Sequence, residues 1–162
     1  MSERIEKLLA RLQKGGTKTL DIFGSLSPAQ RDTILYEVPH PWTVRSLLAH
    51  FVSAEEALLR VAQDIAVGGP GAPEGFDYDA FNATEQERLA DLSPEQLLAD
   101  MKAARQQTIE WLIGLQETDL DRVGRHPALG KITLEDFVNT IYGHQLMHMR
   151  DLMPLLDEKV AV

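Results

Sequence analysis

Apolar residues spaced i, i+3, i+4, i+7 recur in four long segments of this chain, and no alternating Val/Ile/Thr run bounded by turn residues interrupts them. A 3.6-residue period puts each apolar set on one side of a helix, so every segment must bury a face against another helix. The expected fold is therefore all-α, a four-helix bundle, organised as one domain over residues 1–162. A chain of 162 residues buries about 70% of the surface its unfolded form exposes, which suffices for a core without staples.

The first segment runs from about Ser2 to Ser25 on Ile5, Leu8, Leu9, Leu12, Leu20 and Phe23, with Gly15-Gly16 expected to weaken or bend it. A short capped helix follows at Ser27-Pro28. The second long helix starts at Thr43 as N-cap, presents Val44, Leu47, Leu48, Phe51, Leu58, Val61 and Ile65, and stops at Gly68-Gly69-Pro70. The next stretch, GGPGAPEGFDYD, is too rich in Gly and Pro for regular structure and reads as an exposed functional loop or lid, before a weaker helical pattern from about Tyr78 to Ala90. Ser93, Pro94 and Gln96 open the third long helix with a capping arrangement, and Gly114 ends it. The polar stretch after Gly114 is expected to be a loop, and the fourth helix runs from Thr133 to about Leu156 through Pro154, an expected kink.

The chain holds no cysteine, which excludes disulfides, thiolate metal sites and cysteine nucleophiles and fits a reducing, cytoplasmic setting. Its net charge of −9, with no basic run, argues against nucleic acid as a partner, because backbone binding needs Lys and Arg to neutralise phosphates. No apolar run approaches the ~20 residues that span a bilayer, so no membrane partner is expected. GxSxG and GxxxxGK[ST] are both missing, which removes support for serine hydrolysis and for a phosphate loop.

Any metal must then be held by His, Asp, Glu or water. His144 and His148 lie about 40° apart, one turn from each other on the fourth helix, with His148 near the middle of its apolar stripe and His144 toward one edge. His50 sits at the edge of the second helix's stripe. Three imidazoles directed into one bundle from two helices suit a divalent transition metal, since neutral nitrogen donors bind Zn, Ni, Fe or Cu and an i, i+4 pair chelates one ion. The same residues also read as core histidines satisfied by hydrogen bonds.

The segment PWTVRSLLAHF, followed about ninety residues later by LGKITLEDFVNTIYGHQLMHMRDL, resembles the DinB-like superfamily over about residues 9 to 156. That resemblance implies a metal-binding bundle, often dimeric, with relatives that include mycothiol- and bacillithiol-dependent enzymes. Carried over by position, it makes His50, His144 and His148 the metal ligands. It implies zinc or nickel foremost, with iron as a further candidate, together with a low-molecular-weight thiol, a small-molecule substrate and a homodimer. The expected function is a metal-dependent enzyme activating water or a thiol, in transfer, isomerisation or hydrolysis. The alternative is a non-catalytic, dimeric metal-binding module. Many relatives carry an acidic residue directly after the first His of HxxxH, where this chain has Gln145. With no HExxH present, a protease base on this helix is disfavoured.

Asp77, Asp79 and Asn82 can reach the mouth of such a site or serve as helix cap and solvated surface, with the Gly/Pro loop shaping access. Asp151, beside Arg150, can take up the free ring N–H of a ligand histidine or pair elsewhere. His40 and His126, each before a proline, read as structural or exposed, Trp42 and Trp111 as core anchors, and Tyr142 as a flanking candidate for substrate contact.

Overall fold

The computed structural model describes residues 1–157; residues 158–162 of the expected 1–162 domain lie outside the described residues. Four long helices carry the fold: α1 (Glu3–Gly24), α3 (Val44–Ala66), α5 (Pro94–Ile113) and α6 (Leu134–Asp157). Two short helices, α2 (Pro28–Arg31) and α4 (Tyr78–Arg88), and a 3-10 turn (Glu117–Asp121) connect them. The caps sit where the sequence places them. Ser27, Thr43 and Ser93 each accept from the backbone N–H three residues on, in reciprocal capping boxes, and Thr133 Oγ1 accepts from Asp136 N–H at 3.1 Å. α6 continues through Pro154 to Asp157.

Around the bundle the helices follow the order α1, α5, α3, α6, so α1 and α3 occupy opposite corners. One end of the core gathers Phe23, Val44, Leu47, Leu97, Met101, Met149 and Leu152, and the other gathers Ile5, Leu9, Leu112, Leu120 and Val138. α3 and α5 therefore run parallel as neighbours, away from the first end, while α1 and α6 run toward it. Parallel neighbours cannot be joined by a tight turn, which explains the long stretch from Val67 to Ser93 that brings the chain back along the bundle.

Two expectations are corrected here. Gly15 and Gly16 do not interrupt α1, because tertiary contacts use their missing side chains: a Cβ at Gly15 would lie 2.9 Å from the Tyr142 ring, and one at Gly16 3.1 Å from Arg105 Cγ. The connections are also not all loop. β1 (Ile34–Tyr36) pairs antiparallel with β2 (Trp42–Thr43), and β3 (Val123–His126) with β4 (Gly130–Thr133). Strands of two to four residues are too short to show alternation, and they form because the helices they join bring their ends together.

A polar cluster crosses the middle of the core. Arg105 on α5 donates through Nε and Nη2 to the two carboxylate oxygens of Glu55 on α3, at 2.7 and 2.9 Å, and through Nη1 to the Leu12 carbonyl of α1 at 2.7 Å. Thr108 Oγ1 donates to Glu55 at 2.8 Å. All three side chains are buried, and the pair is fork-to-fork, the geometry in which an arginine satisfies a carboxylate most completely.

Candidate metal centre

At the first end of the bundle, α3 and α6 bring His50, His144 and His148 together. His144 Nε2 lies 2.9 Å from His50 Nε2 and 3.2 Å from His148 Nε2, and one ring nitrogen from each of the three falls within 4.8 Å of the others. His50 is 6% exposed, deeper than the edge position read from the sequence, whereas His144 and His148 are partly exposed. The helical wheel of α6 is rotated from expectation. Gln145, not His148, lies in the middle of the buried stripe with Ile141, Met149 and Leu152, and its Oε1 is buried without a hydrogen-bond partner among the described residues.

The surroundings keep the imidazoles neutral. Burial, then the neighbouring His144 and His148, push His50 well below its ordinary value. Burial, then His148 and His126, lower His144 to about 4, and burial lowers His148 against the opposing pull of Asp151. Neutral rings offer lone pairs, and here three Nε2 atoms face one point. A single proton on His144 Nε2 can satisfy one neighbour, leaving another lone pair opposed. A cation is the partner that satisfies all three, so the donor set fits a divalent transition ion.

A tyrosine that the sequence reading passed over completes the setting. Tyr36, on β1, places its hydroxyl 2.7 Å from His148 Nδ1 and donates to Asp151 Oδ2 at 2.6 Å. Burial, then the Asp151 hydrogen bond, raise its phenol above the ordinary value, so the proton stays on the oxygen. Asp151 thus reaches the histidine through Tyr36 rather than directly. No periodicity marks Tyr36, since it lies in a three-residue strand.

Trp42, on β2, covers His50 with ring centroids 4.9 Å apart and meets Tyr36 edge-on at 6.3 Å. Tyr36 and Trp42 also line a cleft of about 720 Å³ beside the cluster, together with Ser46 and with Asp77, Asp79, Asn82 and Gln86 of the α4 region, while the three histidines themselves are not among its lining residues. His40 also lines it, and neither Lys nor Arg does. Asp77 has the cap role as well, accepting from Ala80 N–H at 2.9 Å.

Other sequence candidates lie elsewhere. The Gly/Pro loop leaves α3 at the opposite end of the bundle, where Gly71 pairs with Arg125 and Ala72 is buried, and it is the end of that stretch, at Asp77 and Asp79, that lines the cleft. Tyr142 packs on Gly15 of α1, and Trp111 joins the far-end core. His126 is structural, its Nδ1 accepting from Ala128 and Leu129 N–H and its ring tilted against Phe137 with centroids 4.9 Å apart, while Arg150 is exposed.

Comparison with solved structures finds the same architecture. YfiT from Bacillus subtilis, described as a probable metal-dependent hydrolase with an unusual four-helix bundle topology, aligns with a TM-score of 0.79 at 20% identity, covering 98% of this chain and 90% of that one. A mycothiol-dependent maleylpyruvate isomerase aligns at 0.75 and 17% identity over 94% of this chain, which spans 64% of the isomerase's length. The colibactin self-resistance protein ClbS, solved in complex with a dsDNA, aligns at 0.72 and 17% identity, covering 98% and 96% of the two chains. No curated protein matches the sequence. The family model of the DinB superfamily matches residues 11–152, which takes in all three histidines, and the chain belongs to that superfamily.

Proposed function

We propose that this protein is a metal-dependent enzyme that holds one divalent transition ion on His50, His144 and His148 and acts on a small-molecule substrate, with water or a low-molecular-weight thiol as nucleophile. The observation that carries this reading is the convergence of three neutral Nε2 atoms from two helices, 2.9 and 3.2 Å apart in sequence around His144. Zinc or nickel suits such a set best, with iron next. An ion so held supplies Lewis acidity, lowering the pKa of the nucleophile.

The chain's own residues do the rest. Trp42 and Phe51 flank His50 and exclude water from its side, while His144 and His148 keep partial exposure toward solvent. The cleft bounded by Tyr36, Trp42, Asp79 and Asn82 is the approach for a substrate, and its lack of Lys and Arg, with a chain charge of −9, disfavours nucleic acid and other polyanions. A non-catalytic metal module would call for a closed, dry site, so the exposure of two ligands favours the enzyme. The general base is not Gln145, which is buried in the core.

Elemental analysis of purified protein is expected to find about one transition metal per chain, and the triple change of His50, His144 and His148 to Ala to abolish it. Unchanged metal content in that variant sinks the assignment. Turnover is then sought with water alone and with each low-molecular-weight thiol on electrophilic small molecules, and light scattering reads out the homodimer implied by the resemblance.

A further inference from the structure

The three histidines differ in what holds the nitrogen turned away from the cluster. His50 Nδ1 is buried with no hydrogen-bond partner among the described residues, whereas His148 Nδ1 meets the Tyr36 hydroxyl at 2.7 Å. That hydroxyl also lies 2.6 Å from Asp151 Oδ2. A phenol has one proton and a carboxylate can only accept, so the Tyr36 proton goes to Asp151. The remaining bond to His148 then runs in one direction: Nδ1–H donates to the Tyr36 oxygen, and Nε2 is left as a bare lone pair 3.2 Å from His144 Nε2.

We infer that Tyr36 is a positioning residue of the metal centre: the chain Asp151, Tyr36, His148 locks His148 in the Nδ1–H form with Nε2 directed at the cluster. The inference rests on the metal reading for its affinity consequence and not for the tautomer. Placement of the hydroxyl depends on the β1–β2 pairing, in which Tyr36 is opposite Trp42, so one small hairpin both covers His50 and orients His148. Because Tyr36 also lines the cleft, a ligand bound there lies one side chain from a metal-binding nitrogen.

The test is 15N-histidine NMR on metal-free protein near neutral pH, with zinc titration alongside. Wild type is expected to show His148 protonated at Nδ1 and bare at Nε2. In Tyr36→Phe the fixed pattern is lost toward the Nε2–H form, and zinc affinity falls about 10- to 100-fold, the usual effect of removing a group that orients a ligand histidine. Asp151→Ala makes a sharper demand. With the carboxylate gone, the Tyr36 proton turns to His148 Nδ1, the hydrogen bond reverses and the ring proton moves to Nε2, where it competes with zinc. A purely structural hairpin would lower the melting temperature in both variants without moving the ring proton. A bare Nδ1 in wild type, or an unchanged tautomer in both variants, overturns the inference, as does unchanged zinc affinity where wild type binds. If wild type binds no zinc, nickel or iron, the metal reading falls and the tautomer alone decides the role of Tyr36.

Discussion

Replacing Arg105 by Ala should cost far more than an average core substitution, and the structure says why. Glu55 is 3% exposed, and two of its three hydrogen bonds, at 2.7 and 2.9 Å, come from Arg105. Loss of the guanidinium leaves a buried carboxylate with Thr108 alone and removes a third bond, to the Leu12 carbonyl. Breaking a buried pair from one side costs about 3–5 kcal/mol, because the surviving charge has lost its partner without regaining water. For a domain of this size each kcal/mol moves the melting temperature by roughly 2–4 °C, so a fall of about 6–20 °C is expected. Removing both charges, as in Glu55→Leu with Arg105→Met, should recover most of that loss. Urea denaturation of the wild type, both single variants and the double variant gives the coupling energy directly. A single-variant loss under about 1 kcal/mol, or a coupling energy near zero, would refute the view that this pair ties α1, α3 and α5 together.

Two further predictions concern the ends of the bundle. In metal-free protein His144 titrates near 4 rather than 6.5, so between those values the unfolded chain takes a proton that the folded one refuses. Stability therefore falls as pH drops below 6.5, by up to about 3 kcal/mol from this residue at pH 4. Urea midpoints measured in EDTA at pH 7.5, 5.5 and 4.5 should show that slope, and His144→Asn should flatten it; equal slopes in the two proteins would contradict the burial argument. At the opposite end, Gly71 has φ +81°, and a Cβ there would lie 2.5 Å from the Arg125 carbonyl oxygen and 2.6 Å from its nitrogen. Gly71→Ala should cost about 1–3 kcal/mol in thermal melts while leaving zinc affinity unchanged, and an unaltered melting temperature would show that the loop is not held by Arg125.

The helical half of the molecule was legible because each signal is local. Capping needs a hydroxyl and a glutamine or serine three residues on, and burying a helix face needs only its 3.6-residue period; Ser27, Thr43, Ser93 and the stripes of α1 and α3 satisfy both. The candidate histidines were legible by the same rule, since an i, i+4 pair shares a helix face wherever the helix goes. Legibility failed where contact partners are distant in sequence. Tyr36 meets Asp151 across 115 positions, and Arg105 meets Glu55 across 50, and neither pairing leaves a mark on the residues between. The glycine pair in α1 misled for a related reason: helix propensity is a local cost, and the close approach of Tyr142 and Arg105 that offsets it is not.

Sequence alone therefore determined that the chain is all-α, where its four long helices begin, and that His144 and His148 share one face of the last helix, because these follow from backbone periodicity and capping chemistry. Only the tertiary structure decided that α3 and α5 run parallel, that the Gly/Pro loop starts from the far end of the bundle, and that Gln145 fills the core beside the cluster. It alone also decided that a hairpin tyrosine stands between Asp151 and His148. These are matters of helix order and of contacts between remote segments, and they are settled by packing one complete set of faces against another rather than by any single stretch of residues.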